Sequence, residues 1–187
     1  MNMEIKGTSV RGTFDFMKLR FPTHFDHWIN EMPESAQNIM KNLILTSKWY
    51  PIEDGLIIPI ETIGKLFYNG DSQYAAHYMG RCHAEITLTG IYKFFVQLNS
   101  PRFIISRGLE VMNTYFRPCT FEVKILETNV VIIQLQEYSN PHIIIEASIA
   151  GWTERAIEIS GGKNVQTEIV KSLTRNDPYT EIVICWE

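Results

Sequence analysis

The stretch FEVKILETNVVIIQLQ, residues 121–136, decides the fold class of this chain. Apolar side chains recur at every second position from Phe121 to Ile125, and the same period of two returns from Val131 to Leu135. Side chains of a β-strand point alternately to the two faces of a sheet, so this pattern predicts two strands. The polar triplet ETN between them predicts a turn, and the whole stretch predicts an antiparallel hairpin.

The residues after this hairpin indicate another helix and two further strands. Apolar residues at helical spacing run from Ile143 to Ser160, and Gly161-Gly162 ends the predicted helix as a left-handed cap would. Two strands are predicted at 165–174 and 179–186, with Asn176-Asp177-Pro178 in the turn between them. The second half of the chain is therefore predicted to form a β-β-α-β-β unit.

The first half of the chain is predicted to be mainly helical. Its longest helix, which we expect to be the central one, starts at residue 72 or 73, runs for about two dozen residues and bends near Gly90. Thr23 is expected to cap a helix, and Trp49-Tyr50-Pro51 to break one. The other predicted segments are a strand at 4–8 and helices at 13–21, 33–45, 54–67 and 100–117. We expect one α+β domain over residues 1–187, with an antiparallel four-stranded sheet covered by helices.

Composition and charge restrict the classes of function. The chain has 187 residues, of which 45% are hydrophobic, and this supports a sizeable core. Its net charge of −4, with the densest basic cluster at Lys18 and Arg20, argues against a nucleic-acid partner. No apolar stretch approaches the ~20 residues of a membrane span, and no secretory signal is evident, so we expect a cytoplasmic protein. Cys82, Cys119 and Cys185 form no close pair, which is typical of free thiols.

Histidines offer two candidate metal sites, each with a plainer interpretation. His24 and His27 are three residues apart and could face one metal, but no third ligand lies nearby, and exposed structural histidines explain them as well. His77 and His83 lie on the predicted central helix, where they could contact a metal or haem. Their spacing of six puts them on different helical faces, so packing and hydrogen bonding is the favoured interpretation and no metal site is expected.

Catalysis has no positive support in the sequence. No serine lies in a G-x-S-x-G elbow, and the chain has neither a P-loop nor a G-x-G-x-x-G motif. We therefore expect a protein that is not an enzyme. Its aromatic residues could instead line an apolar pocket between the central helix, the hairpin and Trp152, although core packing is the plainer explanation for most of them. The candidate pocket residues are Tyr74, Tyr78, Cys82, Ile86, Phe94, Phe95, Phe116 and Trp152.

Several short motifs, in order along the chain, resemble those of an uncharacterised bacterial family of myxobacterial type. That family belongs to the superfamily of haem nitric-oxide-binding (H-NOX) domains, 4-vinyl reductase domains and transport-protein-particle subunits. The resemblance implies an α+β fold that holds small apolar ligands or makes protein contacts in signalling. It rests on Ser47-Lys48-Trp49-Tyr50-Pro51, Gly80-Arg81, Gly90-Ile91-Tyr92-Lys93, Ser100-Pro101, Ala150-Gly151-Trp152, Gly162-Lys163-Asn164-Val165, and Asn176-Asp177-Pro178-Tyr179 leading into Trp186.

Departures from the family pattern affect the expected cofactor. Relatives carry cysteines around the last turn, where this chain has Ser172, Asn176 and Thr180, so a metal site there is not expected. Haem-binding members use a histidine on the helix before the hairpin and a Y-x-S-x-R motif. Residues 100–118 contain no histidine, and Tyr138-Ser139-Asn140 lacks the arginine. The resemblance therefore implies no cofactor and no usual haem ligation, and it leaves an acyl chain at Cys82 as one option.

Three hypotheses follow. The first is a non-enzymatic sensory or regulatory domain that binds a small apolar ligand, such as a fatty acyl chain, and signals through protein contacts. The second is a protein interaction module with a closed pocket that acts through a homodimer or a partner. The third is a haem- or metal-binding gas sensor that uses His77 or His83.

Overall fold

A computed structural model describes residues 3–89, 101, 103–104, 113–127, 129–136 and 140–187. It shows the mixed α+β architecture that the sequence predicts, with a helical first half followed by a four-stranded antiparallel sheet. Most of the helix predicted at 100–117 lies outside the described residues, up to residue 112. Phe94 and Phe95 also lie outside them. No helix within the described residues is long and apolar enough to cross a membrane.

A small sheet that the sequence did not predict links distant parts of the chain. Strand β1 (Glu4–Lys6) lies between β2 (Trp49–Pro51) and β3 (Phe116–Arg117), and both pairings are antiparallel. Ile5, at the centre, is fully buried and lies opposite Tyr50 on one side and Phe116 on the other. Residues 49–51 are not helical, as predicted, but they form a strand, and residues 113–117 form a turn and a strand where the end of a helix was predicted. Each strand has only two or three residues, too few to produce a period of two.

Helices make up most of the described first half, and the first of them contacts this small sheet. After a 3-10 turn at Pro22–His24, the chain makes two short helices, and a π-helical segment at Glu53–Ile57 runs directly into the fourth helix. The left-handed residues Asn69 and Gly70 form the turn before the fifth. The helices are α1 (Gly7–Arg20), α2 (Phe25–Asn30), α3 (Glu34–Lys41), α4 (Ile58–Phe67) and α5 (Ser72–Thr89).

Two helix ends differ from the predictions for local reasons. Helix α3 stops at Lys41 instead of continuing to residue 45, because Asn42 adopts an extended backbone and its side chain donates to the Asn38 carbonyl. Leu43, predicted to lie on the apolar face, is 78% exposed as a result. Thr23 does not cap α2, since it lies inside the 3-10 turn and its hydroxyl contacts His24.

The second half of the chain confirms the hairpin. Strands β4 (Thr120–Glu127) and β5 (Val130–Gln136) pair antiparallel, and β7 (Thr180–Cys185) and β6 (Gln166–Lys171) complete a sheet of order β4-β5-β7-β6. Helix α6 (Ile143–Ile159) packs on one face of this sheet and ends before Gly161, whose φ of 103° is left-handed as predicted. The face towards α6 carries fully buried side chains of Val131, Ile133, Leu135, Ile182 and Ile184.

Helices α5 and α6 make the most extensive contact between two elements of the described structure, and glycines permit it. A Cβ atom on Gly80 of α5 would lie 2.9 Å from the Trp152 backbone nitrogen and 3.0 Å from the Ser148 carbonyl carbon. A Cβ atom on Gly151 of α6 would collide in the same way with the backbone of His77. The two helices therefore cross at backbone contact, and this fixes the side chains that they present on either side.

A buried carboxylate joins α6 to the last turn of the chain. Glu146 is 0% exposed and accepts hydrogen bonds from the hydroxyls of Ser172, at 2.6 Å, and Thr180. The backbone N–H of Ser172 also donates to Asp177, which closes the turn. Ser172 and Thr180 occupy two of the positions at which the resemblance led us to expect no metal site, and here their hydroxyls donate hydrogen bonds to the buried Glu146 side chain.

Candidate functional site

An open groove of about 510 Å³ runs between α1 and α5. Its floor is formed by one face of α5, where Tyr78, Cys82 and Ile86 follow one another at a spacing of four residues. Helix α1 supplies the opposite wall with Phe16 and Leu19. Leu19 is 69% exposed and Ile86 is 45% exposed, so the groove presents apolar surface to solvent at its rim. A volume of this size lies in the range of small-molecule sites.

Charged side chains border one side of the groove and form a network across α5 and α6. Arg81 makes ion pairs with Glu154 and Glu158. Arg155 makes ion pairs with Glu158 and Glu85. The N–O distance is 2.9 Å for Arg81–Glu158, 2.6 Å for Arg155–Glu85 and 2.7 Å for Arg155–Glu158. Because most of these groups are partly buried, their pairing holds the wall in a defined geometry.

Two carboxylates of this network, Glu154 and Glu158, have a pKa below the ordinary value. Burial raises the pKa of Glu154, but the hydrogen bond and charge of His77, together with the charge of Arg81, outweigh it and leave the pKa below its ordinary value. Burial likewise raises the pKa of Glu158, and hydrogen bonds from Arg81 and Arg155 lower it overall. Glu154 and Glu158 are therefore ionised at neutral pH.

Aromatic rings close one end of the groove. The rings of Tyr74 and Tyr78 are stacked with centroids 6.4 Å apart, and Tyr68 packs beside both. Burial raises the pKa of Tyr68 to about 12 and, with a contribution from Cys82, raises the pKa of Tyr78. Both phenols are therefore neutral at physiological pH.

Three of the eight predicted pocket residues, Tyr78, Cys82 and Ile86, lie together in this groove. Tyr74 is 54% exposed beyond its end. Phe116 is buried in the core against Phe121, with ring centroids 5.8 Å apart. Trp152 packs partly against a small cluster that contains Ile104, Ala156 and Leu88. Because Phe94 and Phe95 lie outside the described residues, a pocket on the hairpin side of α5 stays a prediction.

The contribution of α1 to this groove was not predicted from the sequence. Phe16, Leu19 and Arg20 line it, although the predicted helix at 13–21 contained all three. Helical spacing places residues on one face of a helix but does not say which other helix that face meets. The basic pair Lys18 and Arg20 is visible in the sequence. The signal that could have indicated a site there is the apolar residues that surround this pair.

His77 and His83 point to opposite sides of α5, as their spacing of six predicts. The Nε2 atom of His77 lies 3.1 Å from the Glu154 carboxylate on α6. The ring of His83 instead packs against α1, where a Cβ atom on Gly12 would lie 2.9 Å from its Cδ2 and Nε2 atoms. Dense packing around this ring lowers the pKa of His83 to about 4, although the charge of Asp15 acts in the opposite direction. His83 is therefore a neutral imidazole at physiological pH.

The other histidines and the cysteines are dispersed. His24 and His27 are exposed on the 3-10 turn and α2, and His142 accepts a hydrogen bond from the Ile144 N–H at the start of α6. Burial raises the pKa of Cys119 to about 12, which keeps its thiol protonated. Within the described residues, no three side chains of His, Cys, Asp or Glu come together as a metal-binding group.

Fold comparison identifies the class of architecture. The chain is similar to an H-NOX protein from S. oneidensis in the Fe(II)NO ligation state, with a TM-score of 0.72, 12% identity and coverage of 98% of this chain and 99% of that one. It is similar to the H-NOX domain from Shewanella oneidensis in the Fe(II)CO ligation state, with a TM-score of 0.71, 12% identity and coverage of 98% and 99%.

A third similar structure is the Fe(II) unliganded H-NOX protein from K. algicida, with a TM-score of 0.68, 12% identity and coverage of 98% and 97%. No protein-family model matches the chain, and no curated protein matches it either. The chain therefore has the H-NOX fold, and at this identity the likeness shows the fold alone. Membership of the myxobacterial-type family stays a prediction.

These structures contradict one expectation from the sequence. Absence of the usual haem motifs led us to expect no cofactor and no haem, whereas the similar H-NOX structures were determined in Fe(II), Fe(II)NO and Fe(II)CO states. All five histidines of this chain lie in the described residues. Among them, His83 has a neutral ring, and that ring makes no hydrogen bond or ion pair with another described residue.

Proposed function

We propose that residues 1–187 form a non-enzymatic sensory domain that binds a small apolar ligand in the groove between α1 and α5 and signals through protein contacts. The groove carries this proposal: it has a volume of about 510 Å³ and a floor formed by Tyr78, Cys82 and Ile86. Supporting it further, the fold is the one seen in solved H-NOX proteins with NO or CO ligation states. Fold alone does not transfer function, so the groove is what the experiment addresses.

A bulky side chain in the groove should block ligand binding. Ile86→Trp fills the rim between Cys82 and Leu19, and Leu43→Trp places the same side chain at a site that is 78% exposed and outside the groove. Binding is measured by the fluorescence of Nile red, a neutral apolar dye, during titration. We expect Ile86→Trp to weaken binding by about tenfold, which corresponds to about 1.4 kcal/mol, and Leu43→Trp to leave it unchanged. Failure of the wild-type protein to bind the dye, or equal binding by both variants, contradicts the proposal.

A second candidate function is haem binding through His83, and the state of that ring favours it. Its imidazole is neutral and lacks a polar partner within the described residues, whereas His77 is already held by Glu154. When bound, haem would supply the iron chemistry of gas binding. The contribution of this chain would be His83 as ligand, with Gly12 providing the space in which the ring lies.

Absorption spectra of the protein reconstituted with haem test this candidate directly. The Soret band of a histidine-ligated haem should appear in wild-type protein and in His77→Ala, and should be lost or shifted in His83→Ala. The same Soret position in all three proteins would exclude His83 as the ligand. Circular dichroism of each protein without haem serves as the control for folding.

A further inference from the structure

We propose that the ligand of the groove is an amphiphile with an anionic head, a free long-chain carboxylate, whose head is held by Arg20. This inference rests on the proposed function of the groove as a ligand site and specifies the chemistry of the ligand. The cation, the apolar floor and the volume support it independently.

Arg20 differs from the other charged groups that line the groove. Arg81 and Arg155 both form ion pairs with carboxylates, and Glu85 is the partner of Arg155. Arg20, by contrast, makes no ion pair with any described residue, and its side chain is exposed at the end of α1. A ligand carboxylate can therefore pair with the Arg20 guanidinium without breaking an ion pair between described residues.

The position of Arg20 suits a ligand with its head at one end of the groove and its chain along the floor. Its guanidinium carbon lies 5.9 Å from the centroid of the Tyr78 ring, the first residue of that floor. Beyond Tyr78 the floor continues through Cys82 to Ile86, one helical turn at a time. A planar guanidinium can donate two parallel hydrogen bonds to a carboxylate, which an alcohol or an amine cannot accept in the same way.

Exposed apolar surface and volume together set the size of the ligand. An alkyl chain along the floor would cover Leu19 and Ile86, which are 69% and 45% exposed, and remove that surface from water. A groove of about 510 Å³ lies in the size range of small-molecule sites. Tetradecanoate, a small amphiphile with a carboxylate head, is therefore the probe of choice.

Competition against Nile red compares tetradecanoate with tetradecanol, a matched ligand without the charge, both below the concentration at which they form micelles. We expect tetradecanoate to bind more tightly than the alcohol in wild-type protein. Arg20→Gln should weaken tetradecanoate binding about fivefold and leave tetradecanol unchanged, since an exposed ion pair contributes up to about 1 kcal/mol. Arg11→Gln removes a guanidinium from the same helix outside the groove and should change neither affinity.

Separate outcomes distinguish the ligand class from the function of the groove. Equal affinities for the acid and the alcohol, or no effect of Arg20→Gln, overturn the anionic ligand while Nile red binding still supports an apolar site. If neither Nile red nor tetradecanoate binds, both the anionic ligand and the groove as a ligand site are overturned. Sedimentation with phosphatidylcholine vesicles, with and without phosphatidylglycerol, tests the alternative source of an anionic amphiphile. Binding to the anionic vesicles without binding of monomeric tetradecanoate would overturn the free carboxylate as ligand.

Discussion

Substitution of Gly80 by alanine should destabilise the protein strongly, although alanine is the better helix former. Alanine in place of a helical glycine contributes about 1 kcal/mol of stability through propensity. At Gly80, however, the added Cβ would lie 2.9 Å from the Trp152 nitrogen and 3.0 Å from the Ser148 carbonyl carbon, where ordinary contacts begin at 3.4 Å. These atoms belong to the backbone of α6 and cannot rotate away, so α5 and α6 must move apart.

The size of this effect follows from the contact that is lost. A gap of 0.5 to 1 Å removes a quarter to a half of the dispersion energy at each contact, and overpacking costs about 1–3 kcal/mol or more. Because α5 and α6 share the most extensive contact described, we expect a gross loss of about 4 kcal/mol and a net loss of about 3 kcal/mol in the free energy of unfolding. For a chain of this length the melting temperature should fall by about 6–12 °C.

Urea denaturation followed by circular dichroism measures this change, and Gly12→Ala is the matched control. At Gly12 the obstructing atoms belong to the His83 ring, a side chain that can turn. Gly12→Ala should therefore cost little, and in a His83→Ala background it should stabilise by about 1 kcal/mol through propensity. A Gly80→Ala protein as stable as wild type, or more stable, would refute the backbone contact between α5 and α6.

Three further predictions concern single residues. Because the pKa of His83 is about 4 in the folded protein and about 6.5 in the unfolded chain, the unfolded state binds the proton first as pH falls. The free energy of unfolding, measured by urea denaturation, should therefore decline as pH falls from about 6.5 to about 4, by at most about 1.4 kcal/mol per pH unit. His83→Gln should flatten that decline, and an unchanged slope in this variant would contradict the prediction. Glu146→Gln should lower the free energy of unfolding by about 1–3 kcal/mol, because an amide keeps one acceptor oxygen for Ser172 and Thr180; an unaltered urea midpoint would count against it. Gly161→Ala should cost about 1–2 kcal/mol in the same assay through its φ of 103° alone, since no atom lies within 4 Å of the added Cβ; full stability would argue against a left-handed cap.

Local periodicity explains which parts of the fold could be predicted. The hairpin at 120–136 and helix α6 each have enough residues for a clear period, and Gly161 marks a helix end by its own chemistry. The strand predicted at 4–8 is confirmed as β1, whereas β2 and β3 have too few residues for a period, and each pairs with β1 from a distant part of the sequence. Such pairing depends on tertiary contacts that no local pattern records.

The candidate site also has one part that could be predicted from the sequence and one part that could not. The spacing of four that links Tyr78, Cys82 and Ile86 predicted a shared face, because helix geometry alone determines it. That Leu19 and Arg20 lie across from this face depends on the angle at which α1 meets α5. Such an angle is set by packing, so only coordinates provide it.

The position of β1 at the centre of the small sheet has a consequence for biosynthesis. Glu4 on β1 pairs with Arg117 on β3, although 113 positions separate them. At roughly 5–20 residues per second, a ribosome needs roughly 6–23 s to add that length of chain. One edge of β1 therefore has no native partner while most of the first half is synthesised, and an unpaired strand edge invites pairing with other chains. Helices α1 to α5 emerge during this interval, so cover of that edge by nascent-chain chaperones would matter most before β3 leaves the ribosome.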